Sequence, residues 1–314
     1  MSFSEMNEIE LVELPAHRIF EELGYQTLEG TDVTSERQSY NDVILTTRLE
    51  RKIRELNPDL PEIVYETTIN QVKSLSNPST IQNNQEFHQM LLAGVKVPFQ
   101  SEGQTKYYAV RLVDFENPQN NDFAAVRQLI VLQHKQRRLD HVLFVNGLPL
   151  VILEYKDPTN PSADIVAAHK QLGIGNYQKH IPRIFNYNAF LIISDKTYAR
   201  YGTMTAPFER FSDWNDPEDP DRTVANRLEM MQRLMLNKES LLELIQNYLE
   251  YESGGKRTVK KIAQQHQYLG AKKAVERTLE VFSQKDENRI GVIWHTTGSG
   301  KSLTMILYTN MISQ

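Results

Sequence analysis

Apolar positions in residues 15–92 recur at helical spacing. Pro15 suits the first turn of a helix, Ile19, Phe20 and Leu23 follow on one side, and Gly24 is a natural stop. Residues 41–56 carry Leu45, Leu49, Ile53 and Leu56 as a single stripe, with Pro58 just beyond the end. Residues 60–75 and 82–92 read as two more helices. From residue 106 the pattern changes. Residues 106–115, 123–133, 140–145, 148–156 and 189–195 are rich in Val, Ile, Leu and aromatics, the composition of strands. The first alternates, as a half-exposed strand does, whereas 148–153 is apolar on both faces, as a covered central strand should be. A helix over about 163–177 separates the last two strands. This strand–helix–strand unit inside an antiparallel run predicts an α/β fold: a mixed sheet flanked by helices.

Beyond the sheet, residues 212–222 (SDWNDPEDPDR) are acidic and broken by proline, which predicts a solvated loop. Helices are expected over 224–235 and 239–251, ending at Gly254-Gly255. Residues 256–277 are strongly basic, with Glu276 as the one acid; such a run is either a solvated face or a patch for a polyanion. A strand over 290–294, a Gly-rich loop and a helix from Ser302 complete the chain.

Composition narrows the class. The 314 residues are enough for about two domains. With 40% hydrophobic and 24% charged residues, wholesale disorder is excluded. No apolar run approaches the roughly 18 residues of a membrane span, and the acidic start MSFSEMNEIELVEL is not a signal peptide. The absence of cysteine rules out disulfides and thiolate metal sites, and a reducing, cytoplasmic setting is expected. The net charge of −5 means that any contact with nucleic acid must come from local basic patches.

Two constellations carry chemistry. The first is Thr297-Gly298-Ser299-Gly300-Lys301-Ser302, set between a short apolar run and a helix, as a phosphate-binding loop requires. Gly298 and Gly300 would turn backbone N–H groups onto the phosphates of ATP, Lys301 would reach the β- and γ-phosphates, and Ser302 would bind Mg²⁺. His295 replaces the first glycine of the strict pattern. No acidic strand follows Ser302, so this sequence reads as part of a longer motor and is not expected to hydrolyse ATP alone.

The second is Asp140, then HVLFVNGLPLVIL, then Glu154-Tyr-Lys156. Asn146-Gly147 is a hairpin signal, and Glu154 and Lys156, two apart on a strand, leave the same face. Charges emerging at the end of an apolar strand need partners, since burying them alone costs several kcal/mol. Metal-dependent phosphodiester hydrolysis supplies a reason: Asp140 and Glu154 hold Mg²⁺ and Lys156 orients water. A structural ion pair is the alternative, and a second E-x-K, Glu50-Arg-Lys52, is an ordinary helical pair. A two-residue turn puts Asp140 opposite Leu153, on the wrong face. A three-residue loop puts it opposite Ile152, on the right one. The site therefore requires a bulge in this hairpin.

These residues resemble the restriction (R, motor) subunit of type I restriction–modification enzymes. The likeness runs through Asp140–Asp157, QKHIPRIF (178–185), NAFLIISD (188–195), ARYGTMTAPFERF (199–211), KKIAQQHQYLGAKKAVERTLE (260–280) and IWHTTGSGKSLTM (293–305). It implies a PD-(D/E)xK endonuclease domain over 1–205, a helical linker over 206–259, and over 260–314 the start of a superfamily 2 translocase. Asp140, Glu154 and Lys156 would be metal ligands and catalytic lysine, and Gln267 would read adenine. The implied partners are double-stranded DNA and the methyltransferase (M) and specificity (S) subunits. The family carries Gln and Tyr four apart on the helix after the lysine strand. Here the candidates, Gln171 and Tyr177, are six apart with Gly173 and Gly175 between them, at a cost of roughly 2 kcal/mol to a continuous helix, so a break is expected. His17 is expected at the surface, near an acid such as Glu10 or Glu13. A RecB-like repair nuclease–helicase shares both motifs but places its nuclease after the motor; an inert assembly module is the non-enzymatic alternative.

Overall fold

The computed structural model describes residues 3–101, 103–160, 164–216, 226–254, 257–283, 290–293, 296 and 298–313. The chain opens with α1 (Phe3–Glu8), a π-helical turn (Ile9–Glu13) and α2 (Leu14–Glu22), then a short strand, β1 (Gln26–Glu29). Three helices follow: α3 (Thr46–Leu56), α4 (Glu62–Lys73) and α5 (Thr80–Ala93). Helix α3 starts later than the sequence predicts because the Leu45 N–H is taken by the Gly147 carbonyl.

Strands β2 (Val95–Ser101) and β3 (Gln104–Val110) form a separate antiparallel hairpin, so the alternating run at 106–115 is not part of the main sheet. That sheet holds β4 (Phe123–Leu132), β5 (Gln136–Val145) and β6 (Leu148–Tyr155), then β7 (Phe190–Ser194) and β8 (Ala199–Gly202), in the order β1-β4-β5-β6-β7-β8. It is mixed, as expected. The pairs β1/β4 and β6/β7 are parallel and the rest antiparallel. Strand β6 is buried along its whole length, which is why it reads as unbroken apolar sequence.

The crossover from β6 to β7 contains α6 (Ile165–Leu172), α7 (Tyr177–His180) and α8 (Pro182–Phe185). The single helix predicted over 163–177 is thus broken at Gly173, as its glycines require; residue 163 lies outside the described residues. Next come α9 (Arg227–Met235) and α10 (Lys238–Asn247). Gln232 donates to the Ala16 carbonyl, and the Leu236 carbonyl accepts from the Tyr25 hydroxyl, so this pair lies against α2 and its neighbours. Residues 249–251, expected to be helical, instead begin β9 (Leu249–Gly254), which pairs with β10 (Arg257–Ile262). The buried Lys260 bonds Asn84 on α5 and the Asn188 carbonyl, tying this hairpin to the core. Helices α11 (Gln265–Ser283) and α12 (Lys301–Ile312) close the description. The strand expected over 290–294 does not form: residues 290–293 belong to no strand and Val292 is exposed, while residue 294 lies outside the described residues.

Candidate active site

The β5–β6 hairpin decides the site. Val145 pairs with Leu148 across Asn146-Gly147, both with positive φ (52° and 79°), a two-residue turn rather than a three-residue loop. The register then shifts: Phe144 faces Pro149, but Leu143 faces Val151, leaving Leu150 as the extra residue of a bulge. The bulge is spatially supported, because the Leu150 carbonyl accepts from the Ala189 N–H and the Asn188 amide. From there His141 faces Leu153, and one step on Asp140 stands across from Glu154, on a shared face. The required bulge is present, though it lies in β6 and sets Asp140 against Glu154 rather than Ile152.

The turn is fixed from outside the hairpin. The buried Asn146 amide donates to the Leu112 carbonyl and to Asn121, and its oxygen accepts from the Asp122 N–H. At Gly147 a Cβ would lie 2.5 Å from the Leu45 carbonyl oxygen, so only glycine fits.

Around this hairpin four carboxylates meet one ammonium. Asp140 Oδ2 accepts from the Tyr155 N–H at 2.8 Å. Lys156 Nζ lies 3.3 Å from Glu154 Oε1 and 4.0 Å from Glu8 Oε2. Glu8, Glu13 and Asp140 bring carboxylate oxygens within 4.8 Å of one another. The π-helical turn explains how Glu8 and Glu13 converge: its bonds link residues five apart, so side chains at that spacing stack on one face. A regular α-helix would separate them.

Glu13 is held by Gln128, whose amide donates to both carboxylate oxygens at 2.8 and 2.7 Å. Gln128 lies across from Asp140 on β4 and has a left-handed φ of 56°. Strained backbone of this kind persists only where its surroundings enforce it.

The electrostatics follow from the crowding. Burial, then Asp140, pushes Glu8 up to about 7, and the same two causes raise Glu13 to about 7. Glu154 is fully buried and raised well above its usual value by burial and by Asp140, and its Oε2 has no hydrogen-bond partner among the described residues. Asp140 is raised by burial, with Lys156 opposing. Burial pulls the Lys156 ammonium down, but Glu154, Asp140 and Glu8 outweigh it and hold it above its ordinary value. Lys156 therefore stays charged among acids that ionise reluctantly.

Gln171 and Tyr177 meet despite their spacing. The break after Leu172 swings Tyr177 back, so that Gln171 Nε2 donates to its hydroxyl at 2.7 Å, and the hydroxyl donates to the Arg138 carbonyl at 3.0 Å. The Tyr177 hydroxyl is raised by burial, then by Glu154 and Asp140, so it lies near the acids. His17 is half-buried rather than superficial, with Nδ1 3.0 Å from Nε2 of the buried His141 behind Asp140. Glu10 is exposed and outside the carboxylate cluster, whereas Glu8, which sequence reasoning missed, belongs to it.

At the second constellation, Gly298 (φ 84°) and Gly300 (φ 80°) are left-handed, and Gly300 precedes α12. Gln267 Nε2 donates to the carbonyls of Ser299 and Gly300 at 3.0 and 3.2 Å. A Cβ at Gly300 would collide with that nitrogen. Lys301 Nζ bonds the Thr296 carbonyl, Ser302 is exposed, and Thr297 lies outside the described residues. A cleft of about 320 Å³ opens here, lined by Thr205, Arg210, Lys260, Gln267, Ser299 and Gly300 among others.

The family described as type I restriction enzyme R protein N terminus matches residues 5–210, and that described as SWI2/SNF2 ATPase matches 266–314. The chain is 36% identical over 320 residues to the type I restriction enzyme HindI endonuclease subunit of Haemophilus influenzae, covering 98% of this chain and 30% of that protein. It is 31% identical over 335 residues to a Methanocaldococcus jannaschii protein named for the type I restriction enzyme MjaIXP endonuclease subunit, covering 97% of this chain and 31% of that protein. The chain thus spans about a third of the length of these relatives. With most of its sheet and both carboxylate-bearing strands inside the matched region, the chain belongs to the family of type I restriction enzyme R protein N-termini.

Proposed function

We propose that this chain is the nuclease end of an ATP-dependent restriction subunit, with a PD-(D/E)xK site that hydrolyses DNA phosphodiester bonds. The observation that carries the reading is the grouping of Glu8, Glu13 and Asp140, with the Glu154–Lys156 pair beside Glu8 and Asp140, at the end of a buried strand. Such a group is costly in an empty fold and useful around a hard cation. The donor set fits Mg²⁺: Glu8, Glu13 and Asp140 offer carboxylate oxygens within 4.8 Å of one another, and Glu154, outside that group, keeps one buried oxygen unpartnered among the described residues. Asp140 and Glu154 would hold the ion, with Glu8 and Glu13 as the contributors from the N-terminal helices. A bound Mg²⁺ would lower the pKa of water and offset charge developing on the phosphate. Lys156 keeps its proton and presents a fixed positive charge beside Glu154. Gln171 and Tyr177 brace the start of β5 through the Arg138 carbonyl.

In this reading residues 1–205 are the endonuclease domain, 206–259 a linker and 260–314 the beginning of the translocase. Gly298–Ser302 would take the phosphates of ATP and Gln267 the base. The partners are DNA and the methyltransferase and specificity subunits, the last supplying sequence recognition. Calorimetric titration with Mn²⁺ tests the site. Binding that is lost in Asp140→Asn supports the nuclease reading; identical heats in both proteins would leave an inert salt-bridge cluster and an assembly role.

A further inference from the structure

The four acids, Glu8, Glu13, Asp140 and Glu154, outnumber the cations set against them, Lys156 and the Arg127 paired with Glu13, an arrangement that repels a phosphate backbone, and the net charge of −5 gives no help. Positive charge gathers at one edge of it. The β4–β5 turn docks on α7: the N–H groups of His134 and Lys135 both donate to the His180 carbonyl, at 3.0 and 3.4 Å. The Arg137 guanidinium is clamped by Asn176 Oδ1 at 3.2 Å and His180 Nδ1 at 2.8 Å. Two segments about forty residues apart are thereby locked, with Lys135, Arg137 and Lys179 close to the His180 ring and Arg138, next along β5, close to Asp140.

Their surroundings differ from those of several other surface cations. Arg51, Arg54, Arg200 and Arg233 each pair with a carboxylate. Among the described residues, none of Lys135, Arg137, Arg138 and Lys179 is in an ion pair, and Lys135, Arg138 and Lys179 are exposed. The imidazole of His180 is held below its ordinary value by desolvation and by Arg137, Lys135, Lys179 and His134, so these charges face one ring. Unpaired like charges clamped together destabilise the fold unless an anion joins them.

We propose that this ridge of Lys135, Arg137, Arg138 and Lys179, flanked by His134 and His180, seats the sugar–phosphate backbone of duplex DNA beside the cleavage site. The inference rests on the nuclease reading and adds to it the path of the substrate. Arg138 lies two residues before Asp140 on β5, so both side chains leave one face about 7 Å apart. A strand held on Arg138 and Lys135 is thus led onto the carboxylates. Contacts of this kind position the duplex without reading bases. The clamp on the Arg138 carbonyl by Tyr177 then has a purpose: it fixes the ridge relative to Asp140.

The test is binding of a fluorescently labelled duplex to this chain, by anisotropy over a range of salt, without divalent ions. Lys135→Ala/Arg138→Ala/Lys179→Ala changes exposed side chains and leaves the Arg137 clamp intact. The expected result is a weaker complex whose slope of log K against log salt is shallower by up to about 2.7, at about 0.9 for each phosphate no longer neutralised. A control, Lys96→Ala/Lys106→Ala/Lys273→Ala, removes equal charge from exposed positions on β2, β3 and α11. An unchanged slope in the first variant, or an equal weakening in the control, would overturn the proposal. Asp140→Ala in the same assay separates the two ideas. It retains binding if the ridge is right, and its cleavage activity, measured in a full-length R subunit, reports on the nuclease reading alone.

Discussion

Replacing Glu13 with glutamine should make the metal-free protein more stable at alkaline pH. Glu13 is 1% exposed and its carboxyl is pushed from 4.5 up to about 7 by burial and by Asp140. The folded-state value lies above the unfolded one, so charging Glu13 opposes folding. Its stabilising contribution is complete below pH 4.5 and lost as pH rises through 7. At pH 8 the ionisation cost is on the order of 3 kcal/mol, and at pH 5 on the order of 1 kcal/mol. Glu13→Gln also alters the bonding to Gln128 and Arg127, but that effect is nearly the same at both pH values. The difference between the variant's stability change at pH 8 and at pH 5 isolates the charge, and is expected to be roughly 2 kcal/mol in favour of the variant. Urea unfolding in chelator measures it. A second arm adds Mg²⁺, which should raise the wild-type midpoint more than that of Glu13→Gln. A pH-independent difference would refute the argument, because Glu13 would then be ionised in the folded protein at no cost.

The other predictions are more direct. Asp140→Ala and Lys156→Ala should abolish DNA cleavage by the reconstituted restriction complex while far-UV circular dichroism and ATPase activity persist; undiminished cleavage in either variant would remove the site assignment. Gly147→Ala should cost more than about 2 kcal/mol in urea unfolding, since it sets a side chain at positive φ and against the Leu45 carbonyl; a loss under about 0.5 kcal/mol would show that the turn relaxes. Lys301→Ala should abolish binding of a fluorescent ATP analogue without shifting the melting temperature, and unaltered affinity would discount the phosphate-loop reading.

Much of the central sheet is legible in the sequence because burial on both faces writes apolar runs, as in β6. The shared face of Asp140 and Glu154 is legible as a condition, since period-two geometry demands an odd residue in the hairpin, but where that residue sits depends on Asn188 and Ala189, some forty positions away. Glu8 is invisible to a search at helical spacing because the π-helical turn changes the period locally. The β9–β10 hairpin is missed for another reason: many of its residues are polar, and the buried Lys260 ammonium finds its hydrogen-bond partners in the distant Asn84 and Asn188. Conversely, residues 290–294 read as a strand from composition alone, yet the described part, 290–293, forms none.

The extra residue at Leu150 has an evolutionary consequence. The hairpin encodes its acid pair as a count as well as an alphabet: Val142, Val151 and Ile152 could exchange among aliphatic types at little cost, but removing one position would turn Glu154 and Lys156 away from Asp140. Descendants of this sequence should therefore drift freely in the letters of this hairpin and hardly at all in its length. A lineage that loses cleavage by neutral change is expected to show it first as a gap of one residue between Asp140 and Glu154, with every charged side chain still present.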